Sequence, residues 1–434
     1  MSTGADSTGS RQARTISRRN ATASAAPAAT IHSRTAAETR GAVIEASAIS
    51  QSSQRLLVLT ELFLPTKGGT AVWFDEVYRR LGGKEIHVVT ADVPGAEGHD
   101  LHHPNSVHRV RLVRRWWLRP ESLEMYVSLL LRSLRLLRRH GFDAVHAGRV
   151  LPEGLVGLAV ARLAGIPLIV YAHGEEITAW RQPGKLRAMT YTYRCADRVI
   201  ANSAFTRKEL LKLGVLPERI SLVYPGVDIA RFRPGLLPPD LRASWGPKAG
   251  KLILSVGRLS RRKGFDNTIR ALARLRDDGI DAAYAVIGVG EDREYLDGVA
   301  RASGVAEHVH FLGHVPPEDL PRWYCACDVF AMPNRRVGGD DEGFGMVFLE
   351  AAACGKAVVA GRDGGTADAV LEGTTGYRVD GTSVDAIATA LRTLLSDEEL
   401  SYTLGENGRA RVVAHMSWER VAGATRQLCG GHQP

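Results

Sequence analysis

The chain has 434 residues, 44% of them hydrophobic and 24% charged, with a net charge of +9. Such a length and balance suit two globular domains with sizeable cores, and no apolar run approaches the ~20 residues that cross a bilayer. The charge is uneven: residues 1–54 carry six Arg against three acids, residues 109–139 carry nine Arg against two Glu, and the rest is close to neutral.

Residues 1–54 are rich in Ser, Thr and Ala without apolar periodicity, which predicts a disordered N-terminal extension. They lack the ~7–15-residue apolar core of a secretory signal, and their Arg/Ser/Ala bias is loosely like that of an organelle transit peptide. Order is expected from Arg55. Short apolar strands are predicted at 55–62, 85–91, 107–113, 144–148, 168–174, 198–203 and 220–226. Helical patterns separate most of them, at 70–81, 121–139, 154–164 and 204–213. Pro225, Pro234, Pro238, Pro239 and Pro247 then break the pattern, and 229–249 reads as a linker. A second series of strands follows at 251–259, 282–290, 308–313, 329–333, 356–361 and 376–381. Helices are expected at 265–277, 291–302, 316–326 and 345–354, and a helical end over 383–428. Strand alternating with helix predicts an α/β fold of two doubly wound parallel sheets, with domains over 55–235 and 250–414. Ligands bind such sheets at the carboxyl ends of the strands, which places a site between the two domains.

The cysteines Cys195, Cys325, Cys327, Cys354 and Cys429 show no zinc or redox spacing. Buried, inert thiols in a reduced, cytoplasmic compartment are expected. Two stretches carry chemistry. VGRLSRRKGFD (256–266) puts Arg258 and Lys263 on a loop after a strand, at Arg-x4-Lys spacing. Arg grips a diphosphate bidentately, Lys adds a point charge, and the following helix contributes its positive end. Arg261 and Arg262 alongside favour the plainer reading of a solvated basic turn. DDEGFGMVFLEA (340–351) sets Glu342 and Glu350 around Gly343-Phe344-Gly345. Glycines permit close backbone approach, and amides at a helix start can meet phosphate or sugar oxygens. Glu350 in the helix can accept from a ribose diol, and Glu342 on the loop from sugar hydroxyls. Adjacent Asp340 and Asp341 lack the spaced ligands of a metal cage.

The order Gly68-Gly69, His173-Gly174, Arg258-x4-Lys263, Glu342-x7-Glu350 and ACGKAVVAGRDGG (353–365) resembles glycosyltransferase family four over roughly 55–430. The resemblance implies the GT-B fold: two Rossmann-like domains facing each other across a cleft, with a final helix within 415–430 packing back onto the first. It implies a retaining hexosyltransferase that uses a nucleotide sugar and requires neither cofactor nor metal. Arg258 and Lys263 would bind the donor diphosphate, Glu350 the ribose, and Glu342 with the amides of Gly343, Phe344 and Gly345 the transferred sugar. His173 would contact the sugar near the reacting centre, and Gly68 and Gly69 would let the first loop approach. The reaction expected is a front-face displacement in which the leaving diphosphate takes the acceptor's proton. Glu342 on its glycine loop suits hydroxyl recognition better than a covalent nucleophile. Glu175 and Glu176 follow His173, and one of them is expected near the acceptor.

The acidic stretch 338–351 looks closest to lipid and polyprenyl mannosyltransferases, making GDP-mannose the first-choice donor; UDP-glucose, UDP-galactose and UDP-N-acetylglucosamine are the alternatives. A catalytically inactive nucleotide-sugar-binding module and other GT-B enzymes are the rival readings, and the complete Arg258, Lys263, Glu342 and Glu350 set argues against the first. Around 121–139, Leu123, Tyr126, Val127, Leu130, Leu134 and Leu137 fall on one helical arc, opposite Arg132, Arg135, Arg138 and Arg139. With Arg114-Arg115-Trp116-Trp117-Leu118-Arg119 upstream, segment 109–139 is expected to touch an anionic membrane from the cytoplasmic side, with a lipid-linked or glycan acceptor. No nucleic-acid motif accompanies the charge.

Overall fold

A computed structural model describes residues 54–115, 121–236 and 250–429. The expected extension over 1–54, apart from Gln54, and the Trp116-Trp117 pair lie outside them, as does most of the proline-rich linker.

All thirteen expected strands form. The first sheet contains β1 (Leu56–Leu59), β2 (Ile86–Ala91), β3 (Ser106–Val110), β4 (Ala144–Ala147), β5 (Leu168–Ala172), β6 (Arg198–Ala201) and β7 (Ile220–Leu222), in the order β3-β2-β1-β4-β5-β6-β7. The second contains β8 (Lys251–Val256), β9 (Ala282–Ile287), β10 (Val309–Gly313), β11 (Val329–Met332), β12 (Ala357–Gly361) and β13 (Gly376–Val379), in the order β10-β9-β8-β11-β12-β13. Every pairing is parallel. Central strands such as LLVL of β1 and AVVAG of β12 are fully buried, as sheets covered by helices on both faces require.

Each order reverses beside its first strand, between β1 and β4 and between β8 and β11, and the loops leaving these strands carry the site. The helical end divides into Val384–Ser396, Glu398–His415 and Trp418–Cys429. Trp418, Val421 and Ala422 of the last helix join the core made by Trp73, Phe74 and Val77 of the helix Gly69–Leu81. The C-terminal helix thus returns to the first domain.

The helix Pro183–Cys195 and the short helices Ala96–Leu101, Glu175–Ala179 and Thr366–Ala369 were not expected. Pro183–Cys195 starts on a proline and buries only Met189, Thr192 and Tyr193, too sparse a stripe to announce itself. The helix over 121–139 forms at Leu123–Leu137, but its core face differs from the expected arc. It buries Met125, Leu129, Ser133 and Leu136, whereas Leu123, Val127 and Leu131 are 42%, 48% and 48% exposed. Leucine nearly all round lets packing, rather than periodicity, choose the buried side.

Candidate active site

The loops of the second domain that line the cleft leave β8 and β11. Between β8 and the helix Phe265–Asp277, Arg258 is exposed and has no hydrogen bond or ion pair among the described residues. Lys263 is engaged: its Nζ donates to Glu342 Oε2 at 2.5 Å. Arg262 donates to the same oxygen at 2.8 Å and lies 3.0 Å from Asp340 Oδ2. Burial alone would raise the Glu342 carboxyl, but Lys263 and Arg262 outweigh it and hold it below its ordinary value. Glu342 is therefore an ionised, buried carboxylate with two cations on it. Arg262, which the sequence reading left in a solvated turn, is a member of this cluster.

Beyond Glu342 the chain turns on glycine. Gly345 has φ +87° and leads into the helix Met346–Ala353, a left-handed conformation that glycine adopts freely. The amides of Gly343, Phe344 and Gly345 donate to no acceptor among the described residues, so they stand available at the positive end of that helix. The Phe344 side chain is core, near Tyr224 with ring centroids 5.8 Å apart; only its backbone can serve a ligand. One turn on, Glu350 Oε2 accepts from Tyr324 Oη at 2.5 Å. Burial raises this carboxyl, and the Tyr324 bond opposes it only in part.

The opposite wall comes from β1, β4 and β5. His173 follows β5 and is 6% exposed, its ring lying edge-on to Trp73 and Phe74. Its Nε2 is 2.8 Å from the carbonyl of Gly148. A carbonyl can only accept, so Nε2 carries the proton and Nδ1 is left as an acceptor. Burial is the main cause of its lowered pKa, which keeps the ring neutral. Glu176 is structural: it accepts the His173 amide at 2.9 Å and Tyr193 Oη at 2.7 Å. Glu175 is the one at the cleft. It lies 3.1 Å from Arg149 and 3.9 Å from Arg262 of the donor side.

The two walls meet through glycines. A Cβ on Gly343 would overlap the carbonyl oxygen of His173, and one on Gly69 would lie 2.9 Å from Met346 Cε. Asp368 adds direct bonds, accepting the Ala204 amide at 2.6 Å and Tyr224 Oη at 3.0 Å. The structure thus brings His173, Glu342, Lys263 and the 343–345 turn together, with Gly69 against Met346, while a Cβ on Gly68 would meet nothing within 4 Å. Arg258 has no partner among the described residues, and Glu350 is held by Tyr324.

Sequence reasoning missed Arg262, Arg149, Asp368 and Glu153. Glu153 lies in the turn Val150–Gly154 after β4, fully buried. Its Oε1 accepts the Glu61 amide at 2.9 Å and its Oε2 has no partner among the described residues. Burial pushes its pKa up to about 7. Arg149 and Glu153 follow the carboxyl end of β4, the switch point, and that position was the available signal.

Residues 67–231 match the description "Glycosyltransferase Family 4" and residues 239–411 "Glycosyl transferases group 1". A GDP-mannose-dependent alpha-(1-6)-phosphatidylinositol monomannoside mannosyltransferase of Mycolicibacterium smegmatis is 34% identical over 387 residues, 87% of this chain and 99% of that protein. The chain belongs to glycosyltransferase family 4. A D-inositol 3-phosphate glycosyltransferase of Salinispora arenicola is 31% identical over 401 residues, 84% of this chain and 87% of that one. Among solved structures, HepE of Anabaena in complex with UDP and glucose superposes with a TM-score of 0.74 at 22% identity, covering 87% of this chain and 100% of that one. The fold is GT-B, and this member of the family is a hexosyltransferase with mannosyltransferases of glycolipid synthesis among its relatives.

Proposed function

We propose that this glycosyltransferase moves mannose from GDP-mannose to a mannosylated phosphatidylinositol headgroup, with retention of configuration and without a metal. The observation that carries the reading is the pairing, on one side of the cleft, of a free Arg258 and a Glu342-bound Lys263 with the unengaged amides of 343–345. Two cations suit a diphosphate, and in transfer they offset the charge that develops as it leaves. The diphosphate oxygen accepts the acceptor hydroxyl's proton, so no protein nucleophile is needed. His173 Nδ1 accepts from a hydroxyl of the mannose, Glu342 orients Lys263 and receives sugar hydroxyls, and Glu350 turns from Tyr324 to the ribose. The donor and the lipid rest on the named relative from M. smegmatis.

The lipid also fits the surface of the first domain. Leu123, Val127 and Leu131 form an exposed apolar line at four-residue steps that runs into exposed Arg135, Arg138 and Arg139. Part of the segment's charge is committed elsewhere: Arg109 to Asp100, Arg114 to Glu61 and Arg115 to Glu124. No helix among the described residues is long and apolar enough to cross a membrane. An apolar line with an adjoining cationic cluster suits shallow docking on an anionic leaflet.

The test is nucleotide release from GDP-mannose and UDP-sugars in EDTA, with and without vesicles containing phosphatidylinositol monomannoside. Transfer from GDP-mannose that needs the vesicles and survives EDTA is expected. Preference for a UDP-sugar overturns the donor, loss in EDTA overturns metal independence, and silence with folded protein favours a binding module. In vesicle sedimentation, Val127→Asp should weaken binding; unchanged binding removes the docking surface.

A further inference from the structure

Asp75, His99 and His103 cluster behind the loop that carries Gly68 and Gly69. Asp75 is on the helix Gly69–Leu81, His99 in Ala96–Leu101 and His103 just past its end. One ligand atom from each lies within 4.8 Å of the others. His99 Nε2 is 2.8 Å and His103 Nε2 3.3 Å from Asp75 Oδ1. Asp75 is 0% and His103 3% exposed, yet Asp75 Oδ2 and His103 Nε2 have no hydrogen-bond partner among the described residues; the guanidinium of Arg79 stays 3.7 Å from Oδ2. Buried polar atoms are rarely left so. Here the His99 Nε2–Asp75 Oδ1 contact is the one hydrogen bond inside the cluster among the described residues, and Asp75 Oδ2 and His103 Nε2 crowd the same spot unbonded, so the site holds more potential ligand atoms than its own bonds use.

The surroundings of His99 point the same way. Its Nδ1 is 3.0 Å from Asp100 Oδ1, and Arg109 holds Asp100 with two bonds of 2.8 Å. A carboxylate on the far nitrogen fixes the proton there and turns the Nε2 lone pair outward, the usual support of a metal-bound imidazole. Without an ion, His99 faces carboxylates at both nitrogens and must carry an extra proton to satisfy them.

We propose that Asp75, His99 and His103 bind a divalent transition-metal ion, with zinc the best fit. Two imidazoles and one carboxylate suit zinc or cobalt rather than calcium or magnesium, and the partly exposed His99 leaves a side for water as fourth ligand. Binding has a cost at His103, whose Nδ1 now accepts the Asn105 amide at 3.2 Å. That contact must open for Nδ1 to take the proton, so the ion is exchangeable rather than permanently held. The ion's role is to clamp. Phe63 lies edge-on to both imidazoles, and Arg109, tied to Asp100, also donates to Leu64 O at 2.5 Å. Segment 96–103 would thus be pinned beneath the loop that delivers Gly69 to Met346, away from the transfer chemistry.

The experiment is titration of full-length, tag-free, chelator-treated protein with Co²⁺, read by visible absorption, and with Zn²⁺, read by thermal unfolding. One equivalent of Co²⁺ with four-coordinate bands, and a rise in Tm saturating at one equivalent of Zn²⁺, are expected. Both signals should vanish in His99→Ala and in Asp75→Asn, with circular dichroism confirming that each variant is folded. Equal binding by wild type and His99→Ala overturns the site, as does an unmoved Tm. A Tm that rises on mild acidification but not with zinc also overturns it, in favour of a proton-held triad. Donor turnover in EDTA is a separate readout, so either proposal can fail without the other.

Discussion

Two buried glutamates on opposite walls of the cleft are both pushed up by burial, yet their pKa values end up shifted in opposite directions. Glu342 on the donor side has Lys263 and Arg262 on one carboxylate oxygen, and its pKa is lowered. Glu153 on the other side accepts one backbone bond, its second oxygen has no partner among the described residues, and its pKa is raised to about 7. Desolvation is the first influence on both; the neighbours decide the sign. The Glu342 wall is therefore already charge-paired at Lys263 and Arg262, and on the proposed function those cations would trade the carboxylate for the donor diphosphate. The other wall keeps polar groups in reserve, with the Glu153 carboxyl raised by burial to about 7 and the His173 imidazole kept neutral by its own burial.

The sharpest test of the donor wall is removal of its cations. Arg258→Ala or Lys263→Ala should lower kcat by ~10²–10³-fold, the scale of losing one group that stabilises developing charge, with Tm nearly unchanged for Arg258→Ala and lowered for Lys263→Ala, which takes a cation from buried Glu342. Steady-state turnover beside thermal unfolding checks it, and near-wild-type turnover would show that the diphosphate binds elsewhere.

Next comes the uncompensated glutamate. A carboxyl whose pKa rises on folding from 4.5 to about 7 contributes stability below 4.5 that is lost as pH climbs through 7. Glu153→Gln keeps the bond to the Glu61 amide and cannot ionise. The variant should gain on wild type by up to ~3 kcal/mol between pH 4.5 and 8. Denaturant unfolding of both proteins at the two pH values measures this, since every other titrating group cancels in the difference.

The contact between the walls is broken by Gly343→Ala. Its Cβ would collide with the His173 carbonyl, pushing the glycine turn away from the histidine. A misplacement of ~1 Å can cost 10²-fold, so kcat/KM should fall by about that much while each domain stays folded, as near-ultraviolet circular dichroism would report. The smallest effect is expected from Glu175→Gln. The Glu175 side chain is 38% exposed, accepts from Arg149 at 3.1 Å and pairs loosely with Arg262 at 3.9 Å; partly exposed pairs contribute ~0–1 kcal/mol. A few-fold rise in donor KM with kcat unchanged is expected, and a large fall in kcat would make Glu175 part of the chemistry.

The amino-acid sequence by itself determined the thirteen strands and the loops of the donor wall, because their residues are consecutive. A strand, Arg258, Lys263 and a helix follow one another, as do Glu342, the glycine turn and a helix, so local spacing puts each set on one loop, although the pairing of Lys263 with Glu342 comes from the fold. Only the tertiary structure decided that Arg262 turns inward, that Glu175 rather than Glu176 faces the cleft, that Glu153 is buried without a full set of partners, and that Leu123–Leu137 buries Met125 and Leu129 while exposing Val127. Each of these depends on groups that are neighbours in space and distant in the chain: Arg262 on Glu342, Glu176 on Tyr193, Glu153 on Glu61. Apolar and polar periodicity fixes which elements form. Which face of a leucine-rich helix is covered, and which charge finds a counter-charge, is settled when the sheets and helices close on one another and water is expelled.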